Sequence, residues 1–149
     1  MQFRKFYREY ARLAEYAQSL FLLAARLVVA YGFSEAARMK WEAMPAVIEW
    51  FGSLGYPFPA FLAYLVSSVE VVGIVLLSFG LLTRFIAVPL MIIMSVAILT
   101  VHLPHGFESV DNGFEIPLYY LIFLGLLLAF GAGRYSVDRV VFKESPCRS

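Results

Sequence analysis

Two residues that can hold a charge or carry a proton lie inside long apolar stretches of this sequence. Glu70 falls near the middle of the run from Pro59 to Leu82, and Arg26 interrupts an earlier run. A charged side chain at the centre of a bilayer costs about 3 kcal/mol or more unless a partner compensates it, so such residues mark candidate functional sites. If the two meet near mid-membrane, they form either a buried ion pair that fixes helix register or a site for a proton or ligand. The sequence leaves both interpretations open.

Further candidates lie on the predicted helices, at the ends next to the loops that hold few basic residues. Lys40 follows Arg26 by fourteen residues, which places both on one helix face, about 21 Å apart along the axis. The imidazole of His102 exchanges protons near neutral pH, and lysine and tyrosine donate hydrogen bonds to carbonyl oxygens. We therefore predict a polar pocket in the outer half of a bundle, with Lys40, Glu70 and His102 as catalytic residues. The predicted ligand-binding set is Arg26, Lys40, Glu70, His102, Glu115 and Tyr119.

Most of these residues also have a structural interpretation. Lys40 can extend towards the headgroups, His102 can be solvated at a helix end, and Glu115 can compensate a helix dipole. His102 and His105 are three residues apart near acidic side chains, but this spacing alone is weak evidence for a metal site. We predict no metal centre.

The elements that must position these side chains are predicted to be membrane helices. The chain is 61% hydrophobic with a mean hydropathy of +0.75, above the roughly 45–50% apolar content of soluble domains. About 20 apolar residues in a helix cross a hydrocarbon layer about 30 Å thick. We predict an all-α integral membrane protein, a four-transmembrane-helix bundle within residues 19–133. Its helices cover about residues 19–42, 59–82, 85–103 and 115–131.

The two ends of the chain are predicted to be polar and to face the cytoplasm. In residues 1–18, aromatic and aliphatic side chains recur every three or four positions among basic ones, which predicts an amphipathic interfacial helix. A polar extension of the first membrane helix is the alternative. Residues 134–149 form a polar tail. Basic residues concentrate in both ends and at Arg84, so the positive-inside rule predicts two cytoplasmic termini.

Charge and cysteine content limit the possible partners. The net charge of +1 gives no field directed at nucleic acid. The single cysteine, Cys147, cannot form an internal disulfide or a CxxC motif. We find no haem, flavin or metal motif in the sequence, and the expected partners are the bilayer and either a protein that supplies electrons or further copies of this chain.

Several segments occur in the order typical of one family. The pair Arg26-Leu27 comes first, with Lys40 fourteen residues after Arg26. Then follow the segments YPFPAFLAYLVSSVEVVGIVLLSFGLLTR, VHLPHGF, GFEIPLYYL and GAGRYSVD. Over about residues 20–140 this pattern resembles the DoxX family of small bacterial inner-membrane proteins. Ala36 and Ala37 stand where such proteins commonly have a His-Gly pair. The segment RLVVAYGFSEAARMKW is closer to the branch found beside genes for secreted metal-chelating peptides. The positions that match the family are Arg26, Lys40, Glu70, Arg84, His102, Glu115 and Pro117.

The resemblance implies a location in the bacterial inner membrane and a link to redox chemistry. Some DoxX proteins are membrane subunits of a thiosulfate:quinone oxidoreductase, and others are linked to redox defence. We therefore expect a quinone-linked oxidoreductase subunit with quinone as its cofactor. The alternatives are a non-catalytic membrane anchor or accessory protein, and a transporter for a small solute or metal. Whether Lys40, Glu70 and His102 line one pocket discriminates between these hypotheses.

Overall fold

The computed structural model describes the backbone of residues 2–142 and, within that range, all side chains except those of residues 2–5, 8, 11 and 15. The end of the predicted polar tail, with Cys147, lies outside the described residues. So do the side chains of several N-terminal cations on which the orientation prediction depends.

The described chain is all-helical, as predicted. The helices are α1 (Gln2–Glu42), α2 (Met44–Ser53), α3 (Pro59–Phe79), α4 (Thr83–Ala97), α5 (Glu115–Phe130) and α6 (Val137–Phe142). A π-helical turn at Ile98–His102 and a 3₁₀ turn at Leu103–His105 prolong α4. The loop that follows contains a 3₁₀ turn at Ser109–Asp111.

Three helical stretches are long and apolar enough to cross a membrane. They are Arg12–Glu42, Pro59–Phe79 and Thr83–His105. The fourth apolar helix, Glu115–Phe130, has 16 residues, or about 24 Å at the usual helical rise. The chain is therefore a membrane protein with a helical bundle. A complete fourth crossing and the cytoplasmic placement of both ends stay predictions.

Four helices enclose one apolar core. α1 contacts α3 and α5, and α4 contacts the same two helices, so the bundle closes as a ring. The rings of Phe33 on α1 and Tyr120 on α5 stack with their centroids 6.0 Å apart. The core centres on α1, α3, α4 and α5, with fully buried Val29, Leu77, Leu90 and Leu124. Lipid tails are as apolar as leucine, so such side chains gain little from leaving lipid. The helices are therefore held together largely by the close packing of these side chains.

Several boundaries differ from the sequence-based prediction. α3 ends at Phe79, because Gly80 adopts φ +66° and closes the helix in the left-handed region. α4 begins at Thr83 and not near residue 85, so Pro89 lies inside the helix and not in its first turn. The stretch between the first two predicted membrane helices contains α2, which packs Phe51 against Ala63 on α3.

The N-terminal segment is continuous with the first membrane helix. α1 runs from Gln2 to Glu42 as one helix, so secondary structure marks no boundary at residue 18. The described side chains of Phe6, Tyr7, Tyr10 and Leu13 are all more than 60% exposed. Their placement on a membrane surface stays a prediction.

Candidate functional site

The central feature of the candidate site is an ion pair between α1 and α3. Lys40 lies in the last turn of α1 and Glu70 in the middle of α3. The Lys40 ammonium donates a hydrogen bond to Oε1 of Glu70 over 2.5 Å. The Glu70 side chain is fully buried, while that of Lys40 is 23% exposed. The pair therefore places the Glu70 carboxylate at the middle of α3 beside the Lys40 ammonium, and the lysine side chain is partly exposed at the surface.

A second polar group lies one helical turn from this pair. Ser67 and Glu70 are both on the buried stripe of α3, which also includes Ala63, Gly73 and Leu77. The hydroxyl of Ser67 and Oε2 of Glu70 have no hydrogen-bond partner among the described residues. A buried polar atom without a partner costs about 1–3 kcal/mol, so this site has hydrogen-bonding capacity that the described chain does not use.

Arg26 does not pair with Glu70, so the predicted mid-membrane pair is wrong. The buried guanidinium donates from Nη2 to the carbonyl oxygen of Tyr135 over 2.5 Å, and it lies against Gly80 at the end of α3. Gly80 has no side chain, which leaves room for the guanidinium there. The axial separation of about 21 Å between Arg26 and Lys40 puts the two cations at different depths, and Glu70 meets the second.

The segment after α5 closes this end of the bundle. Oδ1 of Asp138 accepts a hydrogen bond from the backbone N–H of Leu82 over 2.6 Å, and Oδ2 accepts one from Thr83 over 3.0 Å. A carboxylate at a helix N-terminus satisfies free N–H groups and complements the helix dipole. The Asp138 N–H also donates to the Gly80 carbonyl over 3.0 Å. Residues predicted to belong to a solvated tail are thus part of the packed domain.

The remaining predicted site residues bind the loop between α4 and α5. Nδ1–H of His102 donates to the Asn112 carbonyl over 2.8 Å; the direction follows because a carbonyl only accepts. Glu115 accepts hydrogen bonds from the Tyr119 hydroxyl over 3.0 Å and from the Ser109 N–H over 3.2 Å. These contacts are exposed. The described hydrogen bonds therefore join Lys40 with Glu70, and Glu115 with Tyr119. His102 is bonded to neither pair, so the three residues predicted as catalytic do not form one hydrogen-bonded group.

An open apolar groove lies on the surface formed by α4 and α5. Its volume is about 380 Å³, and it is lined by Val88, Met91, Ile92, Ser95, Val96, Leu99 and Leu128. These α4 residues lie on a different face of the helix from its buried residues, which include Ile86, Ala87 and Leu90. The groove is thus separate from the polar site on α1 and α3. In residues 2–142 no cluster of three or more His, Cys, Asp or Glu side chains has metal-binding geometry.

Neither Ser67 nor Asp138 is among the site residues predicted from the sequence. The signal for Ser67 was its position three residues before Glu70, which puts both on one helix face. No comparable signal pointed from Asp138 to Leu82, because the contact joins residues 56 apart in sequence.

Comparison with known proteins gives a family match. The DoxX family model matches residues 21–103, a span that includes the Lys40–Glu70 pair and ends before Asp138. No solved structure shows a significant match to the chain.

Relatives resemble most of the chain. An uncharacterized protein of Haemophilus influenzae is 35% identical over 86% of this chain and 87% of its own length. "Putative oxidoreductase CatD" of Bacillus subtilis is 33% identical over 81% of this chain and 87% of its own length. An uncharacterized membrane protein of Mycobacterium tuberculosis is 40% identical over 64% of each chain.

Proposed function

Because the chain belongs to the DoxX family of membrane proteins, we propose that it is the membrane subunit of a quinone-linked redox system. Its ligand site is the polar group formed by Lys40, Ser67 and Glu70. The observation that carries the proposal is the buried carboxylate of Glu70. One of its oxygens is paired with Lys40, and the other has no partner in the part of the chain that the structure describes. The name of the Bacillus subtilis relative, which describes an oxidoreductase, supports the redox assignment.

A purely structural ion pair explains this arrangement less well. Continuum arguments and experiments show that a buried ion pair stabilises a fold only when its remaining hydrogen-bonding groups are satisfied. Here Oε2 of Glu70 and the Ser67 hydroxyl are buried and have no partner among the described residues, so the ion pair alone leaves two costly groups uncompensated there. Intramembrane ionisable residues of this kind are functional candidates.

The chemistry of the three side chains suits a quinone headgroup. Such a headgroup presents oxygen atoms at opposite sides of an apolar ring. The Lys40 ammonium and the Ser67 hydroxyl would donate to an oxygen, and the free oxygen of Glu70 would accept from a ring hydroxyl. When bound, the quinone would supply the two-electron, two-proton chemistry that these side chains cannot provide.

The roles of the chain's own residues follow from their charges. Lys40 stabilises negative charge that develops on a bound oxygen, because a preorganised cation acts strongly in an environment of low polarity. Glu70, ionised beside the Lys40 ammonium, can take up a proton at Oε2. Phe33 and Ala37, on the same face of α1 as Lys40, are buried and would help to exclude water. His102 donates to the loop between α4 and α5, and Glu115 accepts from that loop and from Tyr119. Both residues position this loop, and neither belongs to the proposed ligand site.

We also propose the cellular arrangement that the resemblance and the cations imply. Both ends of the chain face the cytoplasm, and the protein lies in the bacterial inner membrane. Electrons come from a partner protein, or from a donor held between copies of this chain.

The test uses the gently solubilised, purified full-length chain. Its absorption spectrum and mass spectrometry of an organic extract would show whether a quinone is present in stoichiometric amount. We expect a quinone in the wild type, less than a tenth of that amount after Lys40→Ala, and an unchanged amount after Arg38→Ala. Arg38 is the matched control, because it lies on the same helix and pairs with exposed Glu35 and Glu42.

Two results would contradict the proposal. A clean preparation that holds no quinone and takes up none when decylubiquinone is added would favour an accessory membrane protein, with Lys40–Glu70 as a structural pair. Retention of quinone by both Lys40→Ala and Glu70→Gln would remove the site from the mechanism.

A further inference from the structure

We infer that the site at Glu70 selects the reduced, hydroxyl-bearing form of its ring ligand over the oxidised, carbonyl-bearing form, with Ser67 as a second contact to the ligand. This inference rests on the proposed function and specifies which chemical form the site prefers. The inference follows from the hydrogen-bonding groups around Glu70, because some already have a partner and others do not.

Oε2 of Glu70 is the hydrogen-bond acceptor at this site that still needs a donor. Oε1 of Glu70 accepts from Lys40, whereas Oε2 is buried and accepts from no described group. An ionised carboxylate only accepts hydrogen bonds. A ring carbonyl has no hydrogen to give and would face Oε2 as a second acceptor, while a ring hydroxyl can donate to it.

The Ser67 hydroxyl has no hydrogen-bond partner among the described groups. Serine and threonine in helices commonly donate to the carbonyl four residues earlier. Ser78, on the same helix, donates to Ile74 over 2.7 Å, and Thr100 donates to Val96 over 2.8 Å. Ser67 is fully buried and makes no such bond, so its hydrogen is available to an oxygen beside Glu70.

The two free groups are complementary to one hydroxyl. Ser67 and Glu70 are three residues apart on one face of α3, so their side chains are neighbours. A ring hydroxyl placed between them would donate to Glu70 and accept from Ser67. A buried water has the same hydrogen-bonding capacity and is the competing occupant, since buried waters commonly bridge such groups.

The experiment compares two forms of one probe on the purified full-length chain. Equilibrium dialysis under anaerobic conditions measures the dissociation constants of decylubiquinol and decylubiquinone. We expect the wild type to bind the quinol about tenfold more tightly, the factor that one charge-assisted hydrogen bond supports.

Two variants separate the contacts. In Glu70→Gln the amide oxygen is expected to face Lys40, which places the NH₂ group where Oε2 was and turns an acceptor into a donor. We expect the preference for quinol to disappear or reverse. Ser67→Ala should weaken the binding of both forms by about three- to tenfold, while Ser78→Ala, whose hydroxyl is already bonded to its own helix, should bind like the wild type.

The outcomes are distinguishable. Wild-type protein that binds neither form overturns the proposed function together with this inference. Wild-type protein that binds both forms equally, or the quinone more tightly, leaves the proposed function standing and overturns the inference. If Ser67→Ala alters the melting temperature but not the binding, the serine holds a structural water and its assignment as a ligand contact is wrong. Should Glu70→Gln fail to fold, the wild-type ratio and Ser67→Ala still decide the question.

Discussion

The contact between Asp138 and the start of α4 gives the sharpest prediction about the fold. We consider the substitution Asp138→Ala. The carboxylate is 6% exposed and accepts two backbone hydrogen bonds, from Leu82 and Thr83. Leu82 has φ +49°, a left-handed conformation that is unfavourable for a residue with a side chain. The Asp138 carboxylate therefore stabilises a strained turn as well as a helix end.

The expected loss can be worked from these bonds. A hydrogen bond to a charged group contributes roughly 1.5–3 kcal/mol, so two bonds give about 3–6 kcal/mol. We take the lower end, about 3 kcal/mol, because the freed N–H groups of a helix end can be solvated by water at the membrane boundary. This loss corresponds to a change of roughly 100-fold in the unfolding equilibrium. Asp138→Asn keeps an acceptor for one N–H and should lose about half as much.

The assay is chemical unfolding of the purified protein in detergent, with the melting temperature as a second readout. Asp111→Ala is the control, because Asp111 is an exposed acidic residue in the loop before α5, where a substitution should change the free energy of unfolding by less than about 0.5 kcal/mol. If Asp138→Ala also stays within that limit, the segment after α5 does not hold the bundle and the reasoning is refuted.

Four further substitutions, one of them also combined in a double variant, test other contacts. Lys40→Met leaves the buried carboxylate of Glu70 without a cation and should lower the free energy of unfolding by about 3 kcal/mol; adding Glu70→Gln should restore at least half of that loss. Gly32→Ala places a methyl group on the tyrosine ring of α5 and should cost about 1–3 kcal/mol through overpacking. Gly125→Ala meets open space and should stabilise α5 by about 0.5–1 kcal/mol. His102→Ala removes the hydrogen bond to the loop carbonyl and should speed limited proteolysis between α4 and α5 without lowering the melting temperature of the bundle.

The contradicting results differ for each substitution. The ion-pair interpretation fails if Lys40→Met and the double variant are equally stable. The packing interpretation fails if the two glycine variants change stability in the same direction by similar amounts. Equal proteolysis rates for wild type and His102→Ala would show that the imidazole does not hold the loop.

The sequence by itself determined the class of the protein and the kinds of residue in its site. Apolar length and composition act locally, so four apolar helices could be predicted without knowing how they pack; that the fourth has only 16 residues is seen in the structure. The same holds for Glu70 as a residue that needs a partner, since a charge inside an apolar helix is visible in one dimension.

Which cation meets Glu70 was decided by tertiary structure alone. Arg26 and Lys40 lie on the same face of α1, and the sequence suggested Arg26 as the partner of Glu70. The antiparallel register of α1 and α3 sets Lys40 beside Glu70 and Arg26 beside Gly80. Register depends on the packing of the whole interface and on the carbonyl of Tyr135 that receives Arg26, and no local pattern encodes either. Tertiary structure likewise decides whether the Ser67 hydroxyl has a hydrogen-bond partner, because the neighbouring helices determine which groups lie within its reach.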